Sequence, residues 1–348
     1  MPSAKQKTAP QAIDSSQFSL ADIVDRLFTG HAAEVMSRFP EGCIDLVVTS
    51  PPYWTAVEYD HSENPLPTIP WPTYDDYVAD MQLVWNQCAR VLRPNGKLCI
   101  NAPIMPIPKD VIQQHTRHLK NLAFDMEHKI LAETDLERFS LFVWQKQTSK
   151  MMFGSYPYPG NILENNTIEF INVYVKPGKP PKCDPDVKEA NELTRTEWLD
   201  LTQQVWFMYP EDVKREGDHP APFPEKLPAR LMRLYTYGAV AHFPGEVVLD
   251  PFVGTGTTCA VAKSMGRRYV GIDINPAYIK ISQERVRDAV GFEPLLLVGR
   301  AKYPGKEELQ ELVAAEAGTN GKAAEAKHKR KTYGRKINVK QDEQLKLV

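Results

Sequence analysis

Two stretches of this 348-residue chain set reactive residue types beside backbone breakers. The first is Thr49-Ser50-Pro51-Pro52-Tyr53-Trp54, directly behind the apolar run Ile44-Asp45-Leu46-Val47-Val48. Pro51 and Pro52 have fixed φ and no N–H, so this backbone offers carbonyl acceptors without competing donors. A hydroxyl, a rigid acceptor-rich turn and an aromatic ring together suit the grip of an exocyclic amino group. The second is Asp250-Pro251-Phe252-Val253-Gly254-Thr255-Gly256-Thr257-Thr258, behind Val247-Val248-Leu249. Its glycines let backbone pass close to a ligand. It is not the dinucleotide fingerprint, since Cys259 follows Thr257-Thr258, and it is not a phosphate loop, since no Gly-Lys-Ser/Thr follows. Asp273 ends the next apolar run, where a carboxylate can accept both hydroxyls of a ribose. Each residue alone also fits a structural role: Asp250 as a helix cap, Asp273 as a turn residue, Tyr53 and Trp54 as core. One strand–helix unit apart, the two acids favour a nucleoside-bearing cofactor that lacks a pyrophosphate.

The elements that must position these residues alternate. Strands are expected at Leu27–Thr29, Ile44–Thr49, Lys97–Ile100, Leu141–Trp144, Ile168–Val175, Val247–Leu249 and Tyr269–Ile272. Helical spacing marks Ala32–Phe39, Tyr74–Leu92, part of 102–123, Arg195–Trp206, Glu225–Val240, Thr257–Met265 and Ala277–Ala289. Alternating strands and helices predict βαβ units and a mostly parallel α/β sheet. Ligands of such sheets bind beyond the carboxyl ends of the strands, where both stretches fall.

Composition narrows the class of protein. With 42% hydrophobic and 25% charged residues, 42 Lys+Arg against 44 Asp+Glu, the chain is neither fibrous nor wholly disordered. No run approaches the ~20 apolar residues that span a bilayer, and no apolar core follows the basic start, so a soluble cytoplasmic protein without a membrane partner is expected. Five scattered cysteines without C-x-x-C favour buried thiols over disulfides or metal. A charge near zero leaves room for nucleic acid, which needs only a local basic face.

Thr49–Trp54 resembles catalytic motif IV of the amino-group DNA methyltransferases, and Asp250–Thr258 resembles their S-adenosylmethionine motif I. Phe223-Pro224-Glu225-Lys226-Leu227-Pro228 is similar to motif X, and Gly154–Asn161 with Glu169–Tyr174 to the motif VIII region. The similarity covers roughly residues 25–290. Catalytic motif first and cofactor motif last mark the β class, a circular permutation of the Rossmann-like methyltransferase sheet with a β-hairpin edge. The resemblance implies S-adenosylmethionine as cofactor and duplex DNA as partner, with a cognate restriction endonuclease and a homodimer as further expectations. It implies Ser50, Pro51, Pro52 and Tyr53 as catalytic residues and no metal. Asp250, Pro251, Phe252, Gly254, Gly256, Thr257, Asp273, Phe223, Glu225 and Gly30 would line the cofactor. The family often has Gly-Asp where this chain has Gly30-His31. Domain limits follow: a mobile N-terminus at 1–20, a catalytic half at 21–175, a target-recognition segment at 176–222, a cofactor half at 223–295 and an extension with a basic tail at 296–348.

The implied chemistry is methylation of an exocyclic amine. Its lone pair is delocalised into the ring, so acceptors that hold its two protons favour the attacking nitrogen. The Ser50 hydroxyl and the Pro51 carbonyl take that role, and Tyr53 stacks on a base that has left the duplex. Serine at position 50 resembles the N4-cytosine branch, with N6-adenine and a catalytically silent DNA-binding subunit as alternatives. Cytosine C5 is disfavoured because no Pro-Cys occurs. His115 and His118 read as a pair on one helix face, Lys146 and Lys150 as phosphate contacts or plain surface, and Trp198 and Trp206 as part of the recognition segment.

Overall fold

The computed structural model describes residues 17–54, 71–107, 118–146, 153–154, 158–160, 162–163, 167–208 and 223–291. The first half contributes α1 (Leu20–Ile23), β1 (Arg26–Thr29), α2 (Ala32–Ser37), β2 (Ile44–Thr49), α3 (Tyr74–Val91), β3 (Leu92–Ile107), β4 (His118–Asn121), α4 (Leu122–Glu133) and β5 (Glu137–Gln145). A short hairpin of β6 (Phe153–Gly154) and β7 (Ile162–Leu163) precedes β8 (Ile168–Val175). Then come α5 (Pro185–Ala190), α6 (Arg195–Leu201), β9 (Val205–Phe207), α7 (Lys226–Tyr235), β10 (Val247–Asp250), α8 (Thr257–Ser264), β11 (Arg268–Asp273) and α9 (Pro276–Asp288).

The main sheet runs β1-β11-β10-β2-β3-β8-β5-β9, with β4 on the far part of β3. Pairing is parallel from β1 to β3 and antiparallel at β3–β8 and β5–β8. Side chains alternate along a strand, and here the alternation divides two cores. Val47 of β2 with Val247 and Leu249 of β10 join one apolar cluster, while Leu46, Val48 and Val248 join the other; Ile44, which a register shift separates from Leu46, joins the first. That is why β2 and β10 read as unbroken apolar runs: both faces are covered. On the first face α3 buries Tyr77, Met81, Val84, Trp85, Cys88 and Val91, the residues at helical spacing. Thr73 starts that helix by accepting from Asp76 N. On the second face α7 brings Leu227, Leu231 and Met232.

Several limits differ from the sequence expectation. Residues 102–107 continue β3 as strand despite Pro103 and Pro106, because β8 pairs with β3 only as far as Pro103 and β4 only from Ile104, so each proline has a strand partner on one side alone, an edge-like position that tolerates a missing donor. The helix expected near 102–123 instead begins at Leu122, capped by Asn121. His118 therefore sits in β4, and His115 lies outside the described residues. The helix expected to Val240 stops at Tyr235, where Thr236 turns extended and its hydroxyl donates to the Met232 carbonyl. The Arg195 helix stops at Leu201, and Trp206 belongs to β9, stacked on Phe142 with ring centroids 4.4 Å apart. The segment from 176 to 208 is thus anchored to the sheet edge by the pairing of β9 with β5 and by buried Leu201 and Trp206, while Trp198 stands 58% exposed. Residues 209–222, Lys150, half of the 154–161 loop, residues 1–16 and the basic tail lie outside the described residues.

Candidate active site

The parallel pairing of β10 with β2 brings the two reactive stretches together, 201 positions apart in sequence: Thr49 Oγ1 donates to Asp250 Oδ1 at 2.6 Å. From β10 the chain moves on to β11, and from β2 it moves on to β3, so the onward connections part between these neighbours. Such a switch point opens a crevice at the carboxyl ends of the strands. The permutation is visible at the other flank, where the first strand pairs with the last: Thr29 faces Asp273, and Gly30 N donates to the Asp273 carbonyl at 3.0 Å.

Asp250 is 1% exposed and accepts from Thr49, from Thr258 Oγ1 at 2.7 Å and from Phe252 N at 3.1 Å. It ties both strand ends to the first turn of α8. Burial raises its carboxyl from the ordinary 3.8 to about 6, against the lowering effect of these donors. Asp273 is held by Gly254 N at 2.9 Å and Asn275 N at 2.8 Å. One donor falls on each oxygen, which leaves lone pairs on both for a pair of hydroxyls. Burial raises this carboxyl too, from 3.8 to about 6, with the two backbone donors opposing.

The glycine turn needs its glycines for backbone conformation and for the close approach of α9. Gly254 and Gly256 have φ of 50° and 88°, a left-handed conformation that costs other residues strain. A Cβ on Gly256 would lie 2.9 Å from Ser282 Cα. Ser282 Oγ donates to the Gly254 carbonyl at 2.6 Å and seats α9 against the turn. Arg285 on the same helix donates to Thr257 Oγ1 at 3.0 Å and to Glu225 Oε1 at 2.9 Å, joining the motif X-like segment to the cofactor side. Phe252 packs edge-on against Trp85, with centroids 6.0 Å apart, and Phe223 packs on the second apolar cluster.

On the β2 side, Ser50 Oγ lies 2.8 Å from the Tyr53 hydroxyl and 2.9 Å from the Asn101 carbonyl, to which it donates. Tyr53 is less open than its sequence context suggests: it is 9% exposed, and its hydroxyl donates to Glu169 Oε2 at 3.1 Å. Tyr77 fixes the proline turn by donating to the Pro52 carbonyl at 2.8 Å. Trp54 and Phe252 both pack against the apolar cluster that contains Tyr53, so the two stretches border one region. Lys146 is not free for phosphate; it pairs with Glu169 Oε1 at 2.9 Å. His31 Nε2 contacts Asp80 at 3.0 Å, which ties the Gly30 turn to α3.

Sequence reading missed the roles of Thr49, Asn101, Glu169, Ser282 and Arg285. Each acts through a contact between distant segments, and only the pairing of Thr49 with an acid at a neighbouring strand end could have been guessed.

The match to known proteins agrees with this geometry. Residues 44–284 match the family model of the N6/N4-type DNA methylases. The type II methyltransferase M.MjaI of Methanocaldococcus jannaschii is 28% identical over 289 residues, covering 73% of this chain and 88% of that one. The solved structure of a DNA modification methylase from Thermus thermophilus, determined in complex with S-adenosylmethionine, is 30% identical with a TM-score of 0.60, covering 77% of this chain and 96% of that chain. The cytosine-N4-specific PvuII DNA methyltransferase shares the fold at 20% identity and a TM-score of 0.53, over 81% of this chain and 92% of that one. The chain belongs to the N6/N4 amino-group DNA methylase family of the β class, and its cofactor is S-adenosylmethionine. No helix among the described residues is long and apolar enough to cross a membrane.

Were Asp273 to hold the ribose of the cofactor, a pH dependence would follow: a carboxylate accepts hydroxyls best when ionised, so S-adenosylmethionine affinity would weaken by up to about tenfold per pH unit below about 6. Titration calorimetry between pH 5 and pH 8 checks this; an affinity flat across that range contradicts the role.

Proposed function

We propose that this methylase transfers the methyl group of S-adenosylmethionine to the N4 amine of a cytosine flipped out of duplex DNA. The observation that carries the proposal is the serine at position 50, a hydroxyl fixed at the end of β2 by its contacts to Tyr53 and the Asn101 carbonyl. The cofactor supplies an electrophilic methyl group on a sulfonium. Asp273 holds its ribose, Phe252 and Gly254 flank its methionine part, and Phe223 with Glu225 closes the pocket. Gly30, Pro251, Gly256 and Thr257 shape the backbone around it.

The Ser50 hydroxyl and the Pro51 carbonyl accept the amine's protons and aim its lone pair, with Pro52 stiffening the turn. Tyr53 contributes the aromatic wall for the flipped base. Ser50 is too weak a base to keep a proton, so the surplus proton leaves to solvent. Segment 176–222, with Trp198 outermost, is the proposed base reader. The type II naming of relatives supports a restriction–modification setting with a cognate endonuclease, and a homodimer is the proposed assembly.

Incubation with labelled S-adenosylmethionine and duplex DNA, followed by digestion to nucleosides and mass spectrometry, tests the reading. N4-methyldeoxycytidine is expected. N6-methyldeoxyadenosine alone overturns the choice of base, and cofactor binding without any methylated product overturns the catalytic reading.

A further inference from the structure

The far part of β3 leaves the sheet and carries a cation past the catalytic turn. Ile100 of β3 faces Thr49, the last residue of β2, and β3 then runs on to Ile107. Its pairing with β8 ends at Pro103, and from Ile104 onward it pairs with β4. This two-stranded ribbon stands beyond the strand end that carries Ser50, and Lys120 lies in it opposite buried Met105. We propose that Lys120 grips a DNA phosphate beside the extruded nucleotide and so holds the target strand at the rim of the site. The proposal rests on the methyl-transfer reading and adds a substrate-binding residue to it.

The ammonium is placed by the same aromatic residues that support the catalytic turn. Tyr77 donates to the Pro52 carbonyl, and its ring packs on that of Tyr74 with centroids 5.8 Å apart. Tyr74 also meets Trp54, the residue after Tyr53, edge-on at 5.1 Å. Lys120 Nζ lies over the Tyr74 ring, 4.3 Å from its centroid. A single ring therefore separates the ammonium from Trp54 on one side and from the anchor of Pro52 on the other.

Its charge is uncommitted. Asp125 accepts from the Tyr74 hydroxyl at 2.7 Å, and no carboxylate among the described residues pairs with Lys120. Lys146 differs in this respect, since Glu169 already neutralises it. A ring face attracts an ammonium by about 0.5–1 kcal/mol at an exposed site, but it engages the group on one side only and leaves N–H donors for oxygen acceptors. The contact thus orders a long side chain in advance of any ligand. Lys120 is half-buried and its neighbour Leu119 is 40% exposed, so the ribbon is open to a partner here. A base that turns out of the helix about its backbone brings its own phosphates to the mouth of the crevice. Contacts to phosphates fix the register of a protein on its strand.

The test titrates the full chain, saturated with S-adenosylhomocysteine, with the duplex that it methylates. Copies of that duplex carry one uncharged methylphosphonate, either at a phosphate flanking the target nucleotide or at a distant one. The wild-type chain is expected to lose about tenfold in affinity at one flanking phosphate. Lys120→Ala is expected to bind the unmodified duplex about tenfold more weakly and to lose nothing further from that methylphosphonate. Its slope of log affinity against log salt becomes shallower by about one. Lys120→Arg keeps the charge and restores both readings, and S-adenosylmethionine affinity is unchanged throughout. The proposal is overturned if K120A loses as much as wild type from every methylphosphonate, if the salt slope is unaltered, or if wild type is sensitive at distant phosphates alone. Should K120A fail to fold, Lys120→Gln keeps the stem over Tyr74 without the charge, and the same readings decide. A wild-type chain that methylates no duplex removes the functional reading and this inference with it. Methylation combined with any of the overturning results removes this inference alone.

Discussion

Ser50→Ala is expected to lower the single-turnover rate of methyl transfer by about 10²–10³-fold while leaving S-adenosylmethionine affinity unchanged. The hydroxyl sits at the end of β2, and its inward contacts to Asn101 and Tyr53 leave it oriented before any ligand arrives. Such an acceptor loses nothing to reorganisation when the amine approaches, which is why its loss falls on the rate. Of the residues proposed for the cofactor, Asp250, Phe252, Gly254 and Asp273 follow or end β10 and β11 and are untouched by the change. Rapid-quench measurement with saturating cofactor and duplex reads the rate, and calorimetry reads the affinity. A wild-type rate would show that the amine is gripped elsewhere.

Asp250→Ala is expected to cost about 3 kcal/mol of stability and to abolish cofactor binding. Thr49 and Thr258 are fully buried, and the Phe252 amide is tied to the same carboxylate. Three donors left unpaired cost roughly 2 kcal/mol each, against which the relief of burying no charge returns about 3 kcal/mol for a carboxyl raised by about two units. The melting point falls by roughly 6–10 °C in a domain of this size. The pH response supplies a second check. The folded value of about 6 lies above the ordinary 3.8, so the native state holds the extra proton and wild-type stability falls as pH rises between them. Removing the group makes that slope shallower, as urea unfolding at pH 4.5 and pH 7 would read. A steeper slope would contradict the burial of this acid.

Much of this was legible in the chain because the signals were local. Unbroken apolar runs marked β2, β8 and β10, and helical spacing marked α3, since each pattern reports burial of that segment alone. Ser50, Asp250 and Asp273 stood out as candidates because turn chemistry and strand ends coincide with them. Strand β9 was not, because three residues around a buried Trp206 resemble the amphipathic helix before them. The prolines at 103 and 106 masked the length of β3, since their tolerance depends on which neighbours flank them. The contacts of Glu169 were hidden for the same reason: a carboxylate in the motif VIII-like strand meets Tyr53, Asn101 and Lys146 only when the chain folds.

A crystal structure of the chain with S-adenosylhomocysteine and its duplex substrate is the most direct measurement. The expected result is a single cleft between the ends of β10 and β2, with the extruded base's amine hydrogen-bonded to Ser50 Oγ and facing the cofactor sulfur across it. A base that stays in the helix, or one lodged in a cleft apart from the sulfur, would contradict it.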